Sequence, residues 1–247
     1  MNNPWNNPNW KTIDLSQNRL FKNLVEENIV EPKNSSILFA GSCDASGLRY
    51  EKYWHEIYCE KKGLNHKDYS VVGRPVCSFS SVNRQLYAYL KMVKKKPSKL
   101  FMVVPITANE SMLEDTCYTI TERPEPVDFI SRLGLAPKNR VEVGYKLQEA
   151  YAASYSIDQK IYDFCRDFSF LEMICKAYNI KLYWTQNITR SSSNHYNDIN
   201  IFIESHEFAK ETFIGHTPGS EFDNAFDSPT ADSHKKIAEL FLRCSDD

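Results

Sequence analysis

The chain has no long apolar run, no cysteine pair at metal-ligand spacing and almost no net charge. No stretch approaches the ~18 consecutive apolar residues of a membrane helix, so no membrane contact is expected. The opening MNNPWNNPNW is polar and lacks the apolar centre of a secretory signal. The seven cysteines, Cys43, Cys59, Cys77, Cys117, Cys165, Cys175 and Cys244, are odd in number and irregularly spaced, with no CxxC. That argues against a structural zinc site and for a reducing compartment, where buried thiols behave as small hydrophobes. No metal or cofactor is expected. The triplets NSS, NES and NIT match the glycosylation pattern, but in such a compartment they are chance matches. Thirty basic against 32 acidic side chains leave a charge of −2, so no global field favours nucleic acid. The one basic run, KMVKKKPSK, closes a helix, where lysines suit the dipole and the solvent; phosphate binding is the alternative.

What is present is a packed core: 42% hydrophobic and 13% aromatic residues in 247, the size and composition of one globular domain. Residues 1–34 form an Asn- and Pro-rich arm with a short helix around Asn18 to Glu27. Residues 35–247 then alternate strands and helices, without internal repeats. Short apolar runs at Ser35 to Ser42, Tyr69 to Gly73, Lys99 to Thr107 and Ile180 to Gln186 read as buried strands. Thr212 to Gly215 reads as a fifth. Helical faces carry Tyr50, Trp54, Ile57 and Tyr58 ahead of the stop at Gly63, and then Val82, Leu86, Leu90 and Val93. The clearest helix runs from Ser156, with Ile157, Ile161, Phe164, Phe168, Leu171, Cys175 and Tyr178 stepping by four and three. Ser156 and Gln159 suit its start, and Asn179 the left-handed position after its end. Pro229 to Arg243 forms the last helix, with Ile237, Leu240, Phe241 and Cys244 inward. Residues around 110–150, including TERPEP, read as an irregular insertion with short helices, a length that usually serves function or a partner. The predicted fold class is α/β: a three-layer sandwich with a mostly parallel, flavodoxin-like sheet covered by helices on both faces. Ligands of such sheets gather outside the carboxyl ends of the strands.

FAGSCDASG, Phe39 to Gly47, lies at that edge. It is not a P-loop, because no GK[ST] follows, and it is not GxGxxG. It has the parts of a nucleophile or oxyanion turn: two glycines six apart, hydroxyls and a helix start that would stabilise a thiolate. Equally, Ser42, Asp44 and Ser46 have the chemistry of simple helix caps.

Four blocks in fixed order go further: ILFAGSCDASG, GRPVCSFSS, ITANE and SPTADSHKKIAELF. Together they resemble the SGNH, or GDSL-like, hydrolase family over about Ser35 to Cys244, the middle insertion unmatched. The resemblance puts Gly41, Ser42, Cys43 and Gly47 on the first block. Cys43 stands where the nucleophilic serine belongs, and Ser42 replaces the family aspartate. Val76, or Gly73 in another register, takes the oxyanion glycine. Thr107 to Glu110 match GxND with threonine for the glycine, so the resemblance implies Asn109 as an oxyanion donor. In the last block, Pro229, His234, Ile237 and Ala238 align. That register puts Ser228 at the catalytic histidine and Ala225 at the catalytic aspartate.

The expected function is therefore a non-catalytic SGNH-like scaffold. It would bind or build, as a component of a phage virion or another assembly, in the cytoplasm or a virion. Protein partners would dock on the arm and on the 110–150 insertion. The alternative is an ester or thioester hydrolase. Cys43 would be its nucleophile, Asn109 with the amides near Cys43 and Val76 its oxyanion hole, and His234, with Asp227 upstream, or His216 its base. His195, in the SSSNHYND loop, is a further candidate base. Glu110 reads as a solvated helix-start residue that could act as a lone base, and His55, His66 and His206 have no assigned role. A third possibility is a nucleotide or phosphate binder using the same turn as an anion nest.

Overall fold

A computed structural model of the chain describes residues 34–41, 52–73, 78–105, 108–113, 116–121, 157–187, 193–215 and 231–244, with 108–113, 116–121, 157–160, 187, 193–198 and 231 described by their backbone alone. The elements in order are β1 (Ile37–Gly41), α1 (Trp54–Lys61), β2 (Tyr69–Gly73), α2 (Phe79–Met92), β3 (Lys99–Pro105), β4 (Ala108–Leu113), β5 (Thr116–Thr121), α3 (Ile157–Tyr178), β6 (Lys181–Asn187), α4 (Ser193–Ser205), α5 (Glu207–Thr212) and α6 (Ala231–Cys244).

Four strands form one parallel sheet in the order β2-β1-β3-β6. Each is a near-continuous apolar run, as strands buried on both faces require. Alternation divides their side chains between two cores. Leu38, Ala40, Leu100, Met102, Val104, Leu182 and Trp184 face α2 to α5, against Leu86, Phe168, Leu171, Ile203 and Ala209. Phe39, Phe101, Val103 and Tyr183 face α1 and α6, against Trp54, Tyr58, Ile237 and Phe241. The α/β layering expected from the sequence is thus present, with helices on both faces.

The second core is built on one aromatic row. Parallel register places Phe39, Phe101 and Tyr183 side by side on adjacent strands. Phe101 stacks on Phe39 at 5.5 Å and on Tyr183 at 4.9 Å between ring centroids. Phe241 of α6 meets Phe101 edge-on at 5.5 Å and stacks on Trp54 of α1 at 4.8 Å.

Helix ends follow the local chemistry. After α1, Gly63 adopts φ +65°, with Leu64 N–H donating to the Cys59 carbonyl and Gly63 N–H to that of Glu60. After α3, Asn179 adopts φ +53° with the same two-bond pattern onto Cys175 and Lys176. Ser78 caps α2 by accepting from Ser81 N–H at 3.1 Å. The basic run after α2 is only partly a solvated terminus: Lys96 Nζ donates to the carbonyls of Leu90 and Val93.

The structure corrects four expectations. The insertion opens as an antiparallel hairpin, β4 with β5, rather than as short helices. Its TCYTIT strand is rich in Thr, Tyr and Ile, which suit a pleated surface better than a helix, and TERPEP lies beyond it, outside the described residues. Thr212 to Gly215 is not a fifth strand. Phe213 N–H closes α5 on the Ala209 carbonyl, and a single bridge joins Phe213 to Trp184. Gly215 lies so close to the Phe213 ring that a Cβ there would come within 1.9 Å of it. The SSSNHYND segment opens helix α4 and is not a loop throughout; Ile199 and Ile203, one turn apart, carry it into the core. Cys244 ends α6 half-buried rather than inward. Residues 1–33 of the arm, residues 42–51 and the Ser156 cap fall outside the described residues.

Phe101→Ala is expected to cost about 3–5 kcal/mol, because it removes a ring packed on all sides. Ile201→Ala, at a side chain 66% exposed, is expected to change stability by less than about 0.5 kcal/mol. Urea unfolding of the two variants measures both, and equal midpoints would refute the central place given to the aromatic row.

Candidate functional site

The strand order contains one reversal. The chain builds β2 on one side of β1 and β3 on the other. At such a switch point the crossover helices leave on opposite faces and open a crevice at the carboxyl edge. Gly41 ends β1 beside Gly73 of β2, and Pro105 ends β3 beside Asn187 of β6. Ser42 and Cys43 continue directly from Gly41, so the turn singled out in the sequence starts at the switch point. Ser42, Cys43, Gly47 and Val76 themselves lie outside the described residues. So do His216, Ala225, Asp227 and Ser228.

Glu110 is placed differently from expectation, next to Asn109. Both belong to β4, where Asn109 pairs with Ile120 and Glu110 with Thr119. Glu110 is therefore a strand residue and not a helix start. Asn109 sits on a hairpin that begins three residues after the end of β3. Its position is fixed by strand pairing rather than by a loop at the end of the parallel sheet.

His234 is the best-defined candidate. It occupies the first turn of α6 and is fully buried. Its Nδ1 accepts a hydrogen bond from the backbone N–H of Trp54 at 3.3 Å. That N–H is one of the donors that the start of α1 leaves without an intrahelical acceptor. The Tyr53 ring lies 5.5 Å away, edge-on. An accepting Nδ1 puts the proton of the neutral ring on Nε2. Burial pushes the pKa down to about 4, against an opposing pull from Glu56. A histidine this weakly basic is a poor general base toward a thiol with an ordinary pKa near 8.5. His234 thus joins α1 to α6, and the hint of this in the sequence is its spacing of four from Ala238, which is buried on the same helix.

The other histidines whose side chains are described are also engaged. His55 is buried, its ring stacked on Tyr53 at 5.4 Å and on Phe39 at 5.8 Å. His66 Nδ1 lies 3.0 Å from the Tyr69 hydroxyl. His206 caps α5, its Nδ1 accepting from Ala209 N–H at 3.3 Å, with Nε2 3.4 Å from Glu172. His195 lies on helix α4.

Among the described cysteines, burial pushes the thiols of Cys59 and Cys175 up to about 12. Both are core side chains, as their apolar helix faces suggested. No group of three or more His, Cys, Asp or Glu among the described residues could hold a metal ion. No described helix is long and apolar enough to cross a membrane. Sequence reasoning missed the polar end of β6, where Thr185 and Gln186 are fully buried. The signal was the switch from apolar to polar side chains within LYWTQN.

No protein-family model and no curated protein sequence matches the chain. Its fold is similar to that of solved structures. A GDSL-like lipase from Bacteroides thetaiotaomicron is 11% identical, with 92% of this chain and 96% of that one covered and a TM-score of 0.46. A psychrotrophic esterase from Pseudoalteromonas sp. is 13% identical, with 85% and 96% covered and a TM-score of 0.44. The likeness is one of fold and assigns no chemistry to this chain.

The burial of His234 sets a direction for stability against pH. The unfolded histidine titrates near 6.5 and the folded one near 4, so between these values the unfolded chain binds more protons. Its contribution is complete above pH 6.5 and is lost as pH falls toward 4, by an amount on the order of 1–3 kcal/mol. Urea midpoints at pH 7.5 and pH 4.5 are expected to differ more for the wild type than for His234→Gln. Equal differences would mean that His234 is not buried as a neutral ring.

Proposed function

We propose that this chain is a non-catalytic scaffold of the SGNH-like kind, a binding or structural component rather than a hydrolase. The observation that carries this is His234. It is the histidine that the last sequence block supplies, and it is spent on holding α1 to α6. Two features of the motif register point the same way. Ser228 stands where the resemblance expects the catalytic histidine, and Ala225 where it expects the aspartate. A serine before Pro229 has the chemistry of a helix cap, not of proton transfer. Contact with partners would fall to the arm, residues 1–34, and to the insertion that begins at the β4–β5 hairpin. The assembly served would be a virion or another multi-protein particle.

The competing proposal is an esterase with Cys43 as nucleophile. In its favour is the position of Gly41, which ends β1 at the switch point two residues before Cys43. Hydrolysis there would still need a base other than His234.

Turnover of p-nitrophenyl acetate separates the two. The wild type, Cys43→Ala and His234→Gln are expected to hydrolyse it at the same background rate. A wild-type rate at least tenfold above background that Cys43→Ala abolishes would establish the esterase and end the scaffold proposal.

A further inference from the structure

The amino edge of the sheet gathers a positive charge that the whole-chain sum of −2 conceals. Lys99 and Lys181 open β3 and β6 and are register partners on these neighbouring strands. Both side chains reach over one ring: their Nζ atoms lie 6.0 Å and 5.1 Å from the centroid of Tyr183. The connector from α2 to β3 adds Lys94 and Lys95, both exposed. Their backbone N–H groups donate to Asn34 Oδ1, each at 3.0 Å, which ties the connector to the chain just ahead of β1. Ser98 N–H donates to the Ser36 carbonyl, and Lys181 N–H to that of Ser98. The four lysines therefore share one edge, held in place by its own backbone hydrogen bonds.

The neighbouring groups do not cancel this charge. Among the described residues no carboxylate pairs with Lys94, Lys95 or Lys99, whereas Lys52, Lys61, Lys176, Lys210 and Lys236 each form an ion pair. KMVKKKPSK itself contains no acidic residue. Asp68, at the foot of β2, accepts from Asn65 N–H at 2.8 Å and has Lys67 as its chain neighbour. Lys96 stands apart from the group, because its Nζ turns back onto the carbonyls of Leu90 and Val93. Like charges side by side on adjacent strands repel, and an anion laid across them relieves that repulsion.

The chemistry around the lysines selects the anion. Beside them the edge exposes Asn34, Ser36, Ser98 and Asn179, amides and hydroxyls of the kind that contact phosphate and sugar. The exposed large apolar side chains, Tyr87, Tyr162, Met173 and Ile201, all sit on helices. A protein partner would need an apolar or aromatic anchor at the edge. A membrane surface would need an apolar face to bury, and single-stranded bases an aromatic platform. A duplex backbone needs only point charges and short donors. We propose that the amino edge of β1, β3 and β6 is a sequence-independent docking surface for the phosphodiester backbone of duplex nucleic acid, with Lys94, Lys95, Lys99 and Lys181 as its phosphate contacts. It lies at the opposite end of the sheet from Gly41 and the switch point, goes beyond the scaffold proposal and stands without it.

The test uses the full chain and a fluorescein-labelled duplex of about 20 base pairs and mixed sequence, read by anisotropy from about 50 to 200 mM salt. Binding is expected at the low end. Log affinity is expected to fall against log salt with a slope of about −3 to −4, the value for three or four neutralised phosphates. A duplex of unrelated sequence is expected to bind equally. Lys94→Gln with Lys95→Gln is expected to weaken binding about tenfold or more and to lessen the slope by about two. Lys99→Gln, on β3 itself, is expected to lessen it by about one. Lys210→Gln with Lys236→Gln, which removes the same charge from ion pairs on α5 and α6, is expected to leave affinity and slope unchanged. No binding at low salt, or a slope that none of the variants alters, would overturn the proposal. So would polyglutamate that competes as well as unlabelled duplex at equal charge, or phosphatidylserine vesicles that bind as tightly, which would give the edge to an acidic protein or a lipid surface.

Discussion

The in-register row of Phe39, Phe101 and Tyr183 is the constraint on which the rest of the molecule depends. Three adjacent parallel strands present aromatic rings to the same face, and parallel register brings the rings to stacking distance. Each ring removes a large apolar area from water, and their mutual geometry adds to that burial. The row also fixes what lies above it. Phe241 of α6 can meet Phe101 edge-on only if α6 crosses the row at that point, and its stacking on Trp54 then fixes α1. A shift of any one strand by a single residue would turn its aromatic side chain to the opposite face. The two-helix layer would lose its seat.

The fate of His234 follows from that geometry. With α1 and α6 held together by Trp54 and Phe241, the first turn of α6 meets the first turn of α1. An exposed histidine there would be free to move protons. A buried one must remain neutral, and its Nδ1 meets an N–H that the start of α1 leaves without an intrahelical acceptor. Packing thus takes from His234 the basicity that it would need to serve a Cys43 nucleophile. The scaffold proposal rests on this consequence of core packing.

Buried polar groups are treated differently at the two ends of the sheet. At the amino edge, Ser35 Oγ lies 3.0 Å from Ser70 Oγ and 2.9 Å from the Tyr89 hydroxyl, so three buried hydroxyls satisfy one another and pin the start of β1. The amino edge is closed by such bonds. Toward the carboxyl edge, Thr185 Oγ1 and the Gln186 carboxamide have no partner among the described residues.

Much of this was legible in the sequence. Apolar runs such as LFMVVP report strands buried on both faces, because burial leaves no polar side chain to alternate. The fourfold and threefold steps of α2 and α3 report helices packed along one stripe, and Asn179 reports its own left-handed turn. The hairpin of β4 and β5 was hidden because strand propensity depends on the partner strand, and the partner lies only a few residues away in a stretch marked as irregular by its prolines. Helix α4 was hidden because its polar first half carries no periodic signal until Ile199. The sequence by itself determined the α/β class, the order of the blocks and the position of Cys43 just beyond β1, since these depend on local pattern. Only the tertiary structure decided the role of His234 and left the Gln186 carboxamide unmet. Basicity and hydrogen-bond satisfaction depend on which groups from distant parts of the chain share a space without water, and no local pattern records that.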